Sequence, residues 1–145
     1  MIASILLSLA LSTAQPLADV TAWRTVTAGE SVQWGAADGT GQGLRIRCRA
    51  DGRLEMLGPT APDALPGTPI RVTFHRGEEQ VTLLAVTVDG HTGPEFAVPL
   101  AARELPIATL LAGATLTIGM GDESFEVPGA GAPAVLAPLV EACRR

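Results

Sequence analysis

Leu44-Arg45-Ile46-Arg47-Cys48-Arg49-Ala50-Asp51-Gly52-Arg53-Leu54-Glu55-Met56-Leu57 is the stretch that decides how this chain folds. Apolar and charged residues alternate on both sides of a short polar break, as they do in a hairpin with one face buried. A two-residue Asp51-Gly52 turn would set Cys48 against Glu55 and Arg47 against Met56, mixing the faces. A three-residue loop, Ala50-Asp51-Gly52, instead pairs Cys48 with Leu54, Ile46 with Met56 and Arg47 with Glu55. Only this register sorts apolar from charged, and it places Gly52 at the left-handed position of a G1 bulge. Leu44, Ile46 and Cys48 are therefore expected to face inward with Leu54 and Met56. Arg45, Arg47 and Arg49 are expected to face out.

Cys48 has one possible partner, Cys143, close to the end of the chain. The wide spacing lacks any Cys-x-x-Cys pattern, which argues against a redox-active pair. A structural disulfide is expected, with two buried free thiols as the alternative. Such a bridge would fasten the hairpin to the last helix, and closing so long a loop stabilises by roughly 4–5 kcal/mol in the chain-entropy account.

Outward from the hairpin the pattern stays β-rich. Trp23 to Val26 and Ser31 to Trp34 read as short strands around Ala28-Gly29-Glu30, and Gly35 to Gly43 as a glycine-rich loop. Gly58 to Pro69, dense in proline, reads as a surface connection with no ladder of its own. Ile70 to His75 alternates, and Val81 to Val88 is strongly β-branched. A four-residue loop, Arg76 to Glu79, pairs Phe74 with Val81, Val72 with Leu83 and Ile70 with Ala85. Leu84, Val86 and Val88 make the other face of that strand apolar too, so a central strand covered at least partly on both sides is expected. The turn at Asp89 to Pro94 leads into a strand at Glu95 to Leu100.

Two helices are expected. Ala101 to Ala112 carries Pro106 in its first turn and Gly113 just past its end; either Leu105, Thr109 and Ala112 or Ile107, Leu110 and Leu111 form its inward stripe. From about Ala132, Val135, Leu136, Leu139, Val140 and Cys143 recur at helical spacing, with Pro138 either kinking that helix or marking its first turn. Between the helices, a Gly121-Asp122 turn sets Ile118 against Phe125 and Leu116 against Val127. The fold class is mainly β: an antiparallel sheet or sandwich of hairpins with a short internal helix and a C-terminal helix packed on the sheet.

The 145 residues suit one domain after an export signal. Ile2 to Leu11 is almost wholly apolar and Ser12-Thr13-Ala14 offers the small residues a signal peptidase reads, although no basic residue precedes the run. Residues 1–14 are read as a signal peptide and 15–145 as a single β-rich domain, with an uncleaved anchor as the alternative. A periplasmic or secreted location follows, with no stable membrane span after cleavage and an oxidising environment for the cysteines. The net charge of −5 argues against nucleic acid as a partner, because phosphate binding calls for a basic surface.

Candidate chemistry is sparse. His75 and His91 are the only histidines, and a zinc site would have to be completed by carboxylates. Ser31 and Ser124, the serines beyond the signal region, lack the setting of a nucleophile elbow. Gly39-Thr40-Gly41-Gln42-Gly43 and Gly119-Met120-Gly121 neither open a helix nor end in Gly-Lys-Ser/Thr, so they read as turns rather than phosphate loops. Asp122, Glu123 and Glu126 lack EF-hand spacing and read as a solvated tip. No catalytic residue, metal or cofactor is expected. The row Arg45, Arg47 and Arg49 is either a solvated face balanced by Glu55 and its neighbours or a contact surface for an acidic partner such as another envelope protein or a polysaccharide. Of Trp23 and Trp34, either could stack on a sugar, but at least one is expected in the core.

The C-terminal part has a further pattern. After the strand with Cys48 come Leu110-Leu111-Ala112-Gly113-Ala114-Thr115-Leu116, then Phe125-Glu126-Val127-Pro128-Gly129, then Leu136-Ala137-Pro138-Leu139-Val140-Glu141-Ala142-Cys143. This order resembles small exported bacterial proteins, among them the VasI-type family of type VI secretion accessory proteins, in which a leucine-rich turn, a strand, an F-x-(L/V)-x-G segment and a helix ending in Cys recur. Pro128 and Pro138 depart from the pattern. The resemblance implies a tail architecture and no catalytic residues. The function expected is that of a non-enzymatic exported accessory or binding protein of the bacterial envelope, or alternatively a periplasmic inhibitor of a hydrolase such as lysozyme.

Overall fold

The computed structural model describes residues 21–36, 43–90 and 93–144. The apolar N-terminal run, most of the glycine-rich loop and His91 lie outside these. The strands are β1 (Thr21–Thr27), β2 (Ser31–Ala36), β3 (Leu44–Cys48), β4 (Leu54–Pro59), β5 (Pro69–Arg76), β6 (Glu79–Gly90), β7 (Gly93–Leu100), β8 (Leu116–Met120) and β9 (Glu123–Val127). Helix α1 spans Leu105–Leu111 and α2 spans Ala132–Cys143. All nine strands form one antiparallel sheet in the order β1-β2-β3-β4-β7-β6-β5-β8-β9, a single sheet rather than a sandwich.

The β3–β4 hairpin adopts the sorted register. Cys48 pairs with Leu54, Arg47 with Glu55 and Ile46 with Met56. The Arg49 amide donates to the Arg53 carbonyl at 2.7 Å, and Gly52 has φ of 82°. One residue escapes the sorting. Leu57 lies opposite Arg45 on the charged face, yet it is buried. The aliphatic stem of Arg45 and the neighbouring Ala97 make that outer site apolar enough to hold it.

Several sequence expectations need correction: the helix expected from Ala101 begins at Leu105, and the Asp89-to-Pro94 turn is narrower because Asp89 pairs with Pro94 and Gly90 with Gly93. Gly58 and Pro59 extend β4 and pair with Phe96 and Glu95, while Pro69 opens β5, so the proline-rich connection is shorter than its composition suggests. Gly58 has no side chain where the Phe96 ring lies; a Cβ there would come within 2.4 Å of that ring. The β5–β6 pairs Phe74–Val81, Val72–Leu83 and Ile70–Ala85 hold, but pairing continues to Arg76–Glu79 and the turn is Gly77-Glu78 alone. Finally, β6 is central in the sheet but, among the described residues, covered on one face only. Leu84 and Val86 point away from the core, with Leu84 67% exposed. Both helices pack at one end of the curled sheet and leave this outer face open.

The inner face forms the core. Phe74 and Phe96 meet edge to face with centroids 6.5 Å apart, among Leu44, Ile46, Met56 and Ile118, all fully buried. Each such side chain contributes roughly 1.5–3 kcal/mol on burial. The core joins residues from both ends of the strand order, Trp23 of β1 and Val127 of β9. The Trp23 indole donates to the Pro128 carbonyl at 2.7 Å, so the sheet curls until its edges approach.

Helix α1 begins after Glu104 with Pro106 in its first turn, buries Ile107, Thr109 and Leu110, and ends in a Schellman arrangement. There the Gly113 amide donates to Leu110 and the Ala114 amide to Thr109. Thr109 is buried at no polar cost because its hydroxyl donates to the Leu105 carbonyl at 2.6 Å. Helix α2 buries Ala132, Leu136, Leu139, Val140 and Cys143 against the ends of β1, β2 and β3. Pro138 lies inside it, facing solvent, and the carbonyl it leaves unbonded, that of Ala134, is on the same exposed side. Cys48 and Cys143 form the disulfide, with Cα atoms 5.5 Å apart.

Candidate functional site

The antiparallel order gives the curled sheet two unlike ends. At one, the β3–β4 loop, the Gly77-Glu78 turn and both helices gather, and the core closes over. At the other lie the end of β2, the start of β3, the Pro59-to-Pro69 connection and the β8–β9 turn. No helix packs there among the described residues. Instead the inner face opens into a cavity of about 660 Å³.

The lining of this mouth follows from strand alternation. Trp34, Ile70, Met120 and Phe125 are inward positions near the open ends of β2, β5, β8 and β9, packed on the core below and partly exposed above. Trp34 stands directly opposite Trp23, and their fates differ. Trp23 is buried and hydrogen-bonded, as expected of at least one tryptophan. Trp34 presents a partly exposed ring to the cavity. Glu123 and Glu126 also line it, both exposed and neither ion-paired among the described residues. No arginine or histidine belongs to the described lining.

The row of arginines is met by carboxylates. The Arg47 Nε donates to Glu55 at 2.7 Å, and Arg49 reaches both Asp51 at 3.3 Å and Glu55 at 3.7 Å. Arg45 lies 3.7 Å from Glu95, while its Nε is buried without a hydrogen-bond partner. All three lie along the hairpin as expected, and each has its charge balanced within the sheet. The Cys48–Cys143 pair is assembled at the opposite end from the mouth. His75 lies on the outer face opposite Gln80 and Thr117. Among the described residues no group of three metal donors gathers, Glu123 and Glu126 included.

Sequence reading did not find the mouth. Met120 and Phe125 share the β8–β9 hairpin, but Ile70 of β5 and Trp34 of β2 lie far from them in sequence, and only the sheet order brings these ends together. The available signal was that each is an inward residue within a turn or two of a strand terminus on the same side.

Comparison of the chain with family models, with curated proteins and with solved structures finds no match.

Proposed function

We propose that this is a non-enzymatic binding protein of the bacterial cell envelope, periplasmic or secreted, that holds a small apolar ligand in the mouth of its curled sheet. The cavity carries this reading. Its volume is within the roughly 300–1,000 Å³ of small-molecule sites, and its lining is aromatic and aliphatic with a few polar groups at the rim. A partly exposed tryptophan beside a methionine and a phenylalanine is costly to leave in water unless something covers it. Support for export comes from the apolar N-terminal run and from the disulfide, a bond that persists in oxidising compartments. No helix among the described residues is long and apolar enough to cross a membrane.

The test uses Nile red, an uncharged apolar dye that brightens out of water. It should bind the oxidised protein saturably, and Met120→Trp, which fills the cavity from the end of β8, should weaken that binding at least about tenfold with an unchanged melting temperature. Equal binding by the variant would remove the mouth as the site.

A further inference from the structure

At the end opposite the mouth, a second cavity of about 240 Å³ opens beside the disulfide. Three arginines line it, each from a different segment: Arg53 from the β3–β4 loop, Arg103 from the turn before α1, and Arg144 from the end of α2. The rest of the described lining is backbone and apolar side chain, including Leu100 and Val140, and no carboxylate belongs to it.

We infer that this cavity is a binding site for a phosphate-type oxyanion. The chain has more acidic than basic residues, and its other arginine cluster, on the hairpin, is balanced by Asp51, Glu55 and Glu95. Arg53, Arg103 and Arg144 have no ion pair among the described residues. All three are exposed, so water screens their mutual repulsion and leaves their donors open to a ligand, and guanidinium forks match the oxygens of phosphate. The C-terminal end of α2 offers carbonyls rather than amides, so the arginines must supply the attraction. The fold holds two of the three together. The Cys143 Sγ lies 3.4 Å from the Gly52 carbonyl oxygen, so the disulfide pins the residue before Arg144 against the residue before Arg53.

Inorganic phosphate is the probe, titrated into the oxidised full chain at low ionic strength while the arginine Nε–Hε resonances are followed by NMR. Saturable shifts confined to Arg53, Arg103 and Arg144 are expected, with Arg103→Ala weakening phosphate at least about fivefold and Arg71→Ala, on the outer face of β5, leaving it unchanged. Sedimentation with vesicles of phosphatidic acid, against phosphatidylcholine, separates the two sources of this chemistry. Retention that free phosphate competes away assigns a lipid headgroup, whereas phosphate binding without retention assigns a soluble phosphate, and both uphold the site. Shifts that never saturate, or that appear equally at Arg71 and Arg76, would overturn it as general screening.

Discussion

Gly52 and Gly58 are six positions apart and constrained for different reasons, which makes them a sharp pair of probes. Gly52 has φ of 82° with only ordinary contact waiting for a Cβ, the nearest atom being the Cys143 carbonyl oxygen at 3.6 Å. Gly52→Ala should therefore cost about 1 kcal/mol, from backbone strain alone. Gly58 has an ordinary backbone but no room beside Phe96, so Gly58→Ala should cost about 2–3 kcal/mol through overpacking. Urea unfolding of both variants checks the order; a larger loss at Gly52 would contradict the packing described. Glu55, whose carboxylate serves both Arg47 and Arg49, should lose about 1 kcal/mol on change to Gln, by the same assay. The role of Gly52 was legible in the chain because turn chemistry is local. That of Gly58 was not, since the ring it accommodates comes from a strand nearly forty residues away.

Registers of adjacent strands could be worked out because one face must be apolar and a slip of one residue inverts it. This argument places Cys48 against Leu54, Ile118 against Phe125 and Phe74 against Val81 from the sequence alone, as the sheet has them. It failed where apolarity was taken to mean cover. Leu84 and Val86 suggested a second layer over β6, and none is there among the described residues, because the two helices are used to close one end of the sheet. Pro138 was ambiguous for a similar reason: whether a proline begins or interrupts a helix depends on where the exposed face falls. Here it interrupts α2 on the solvent side. Pro138→Ala should raise stability by about 1–3 kcal/mol, read as a higher melting temperature, since it restores a bond to the Ala134 carbonyl without touching the buried stripe. A drop in melting temperature would mean that the helix needs its break to lie on β1, β2 and β3.

At the scale of the molecule, the described residues form a curled sheet closed at one end by helices and fastened there by Cys48–Cys143, with the other end open among them. Replacing both cysteines with Ser should cost about 4 kcal/mol, because the bridge closes a span of 95 residues, and mass spectrometry with and without reductant reports whether the bond is present. The fastening was readable from two residues and a helical period. The mouth was not, because a cavity is a property of strand order, and strand order is set by pairings such as β4 with β7 and β5 with β8 that no local pattern announces. That mouth is the centre of the functional account, and methyl NMR tests it most directly. On titration with Nile red, the Ile70 and Met120 methyl signals and the Trp34 indole should shift together and saturate, while Leu84 and Val86 on the outer face stay in place. Shifts at Leu84 and Val86 with Ile70, Met120 and Trp34 unmoved would contradict it.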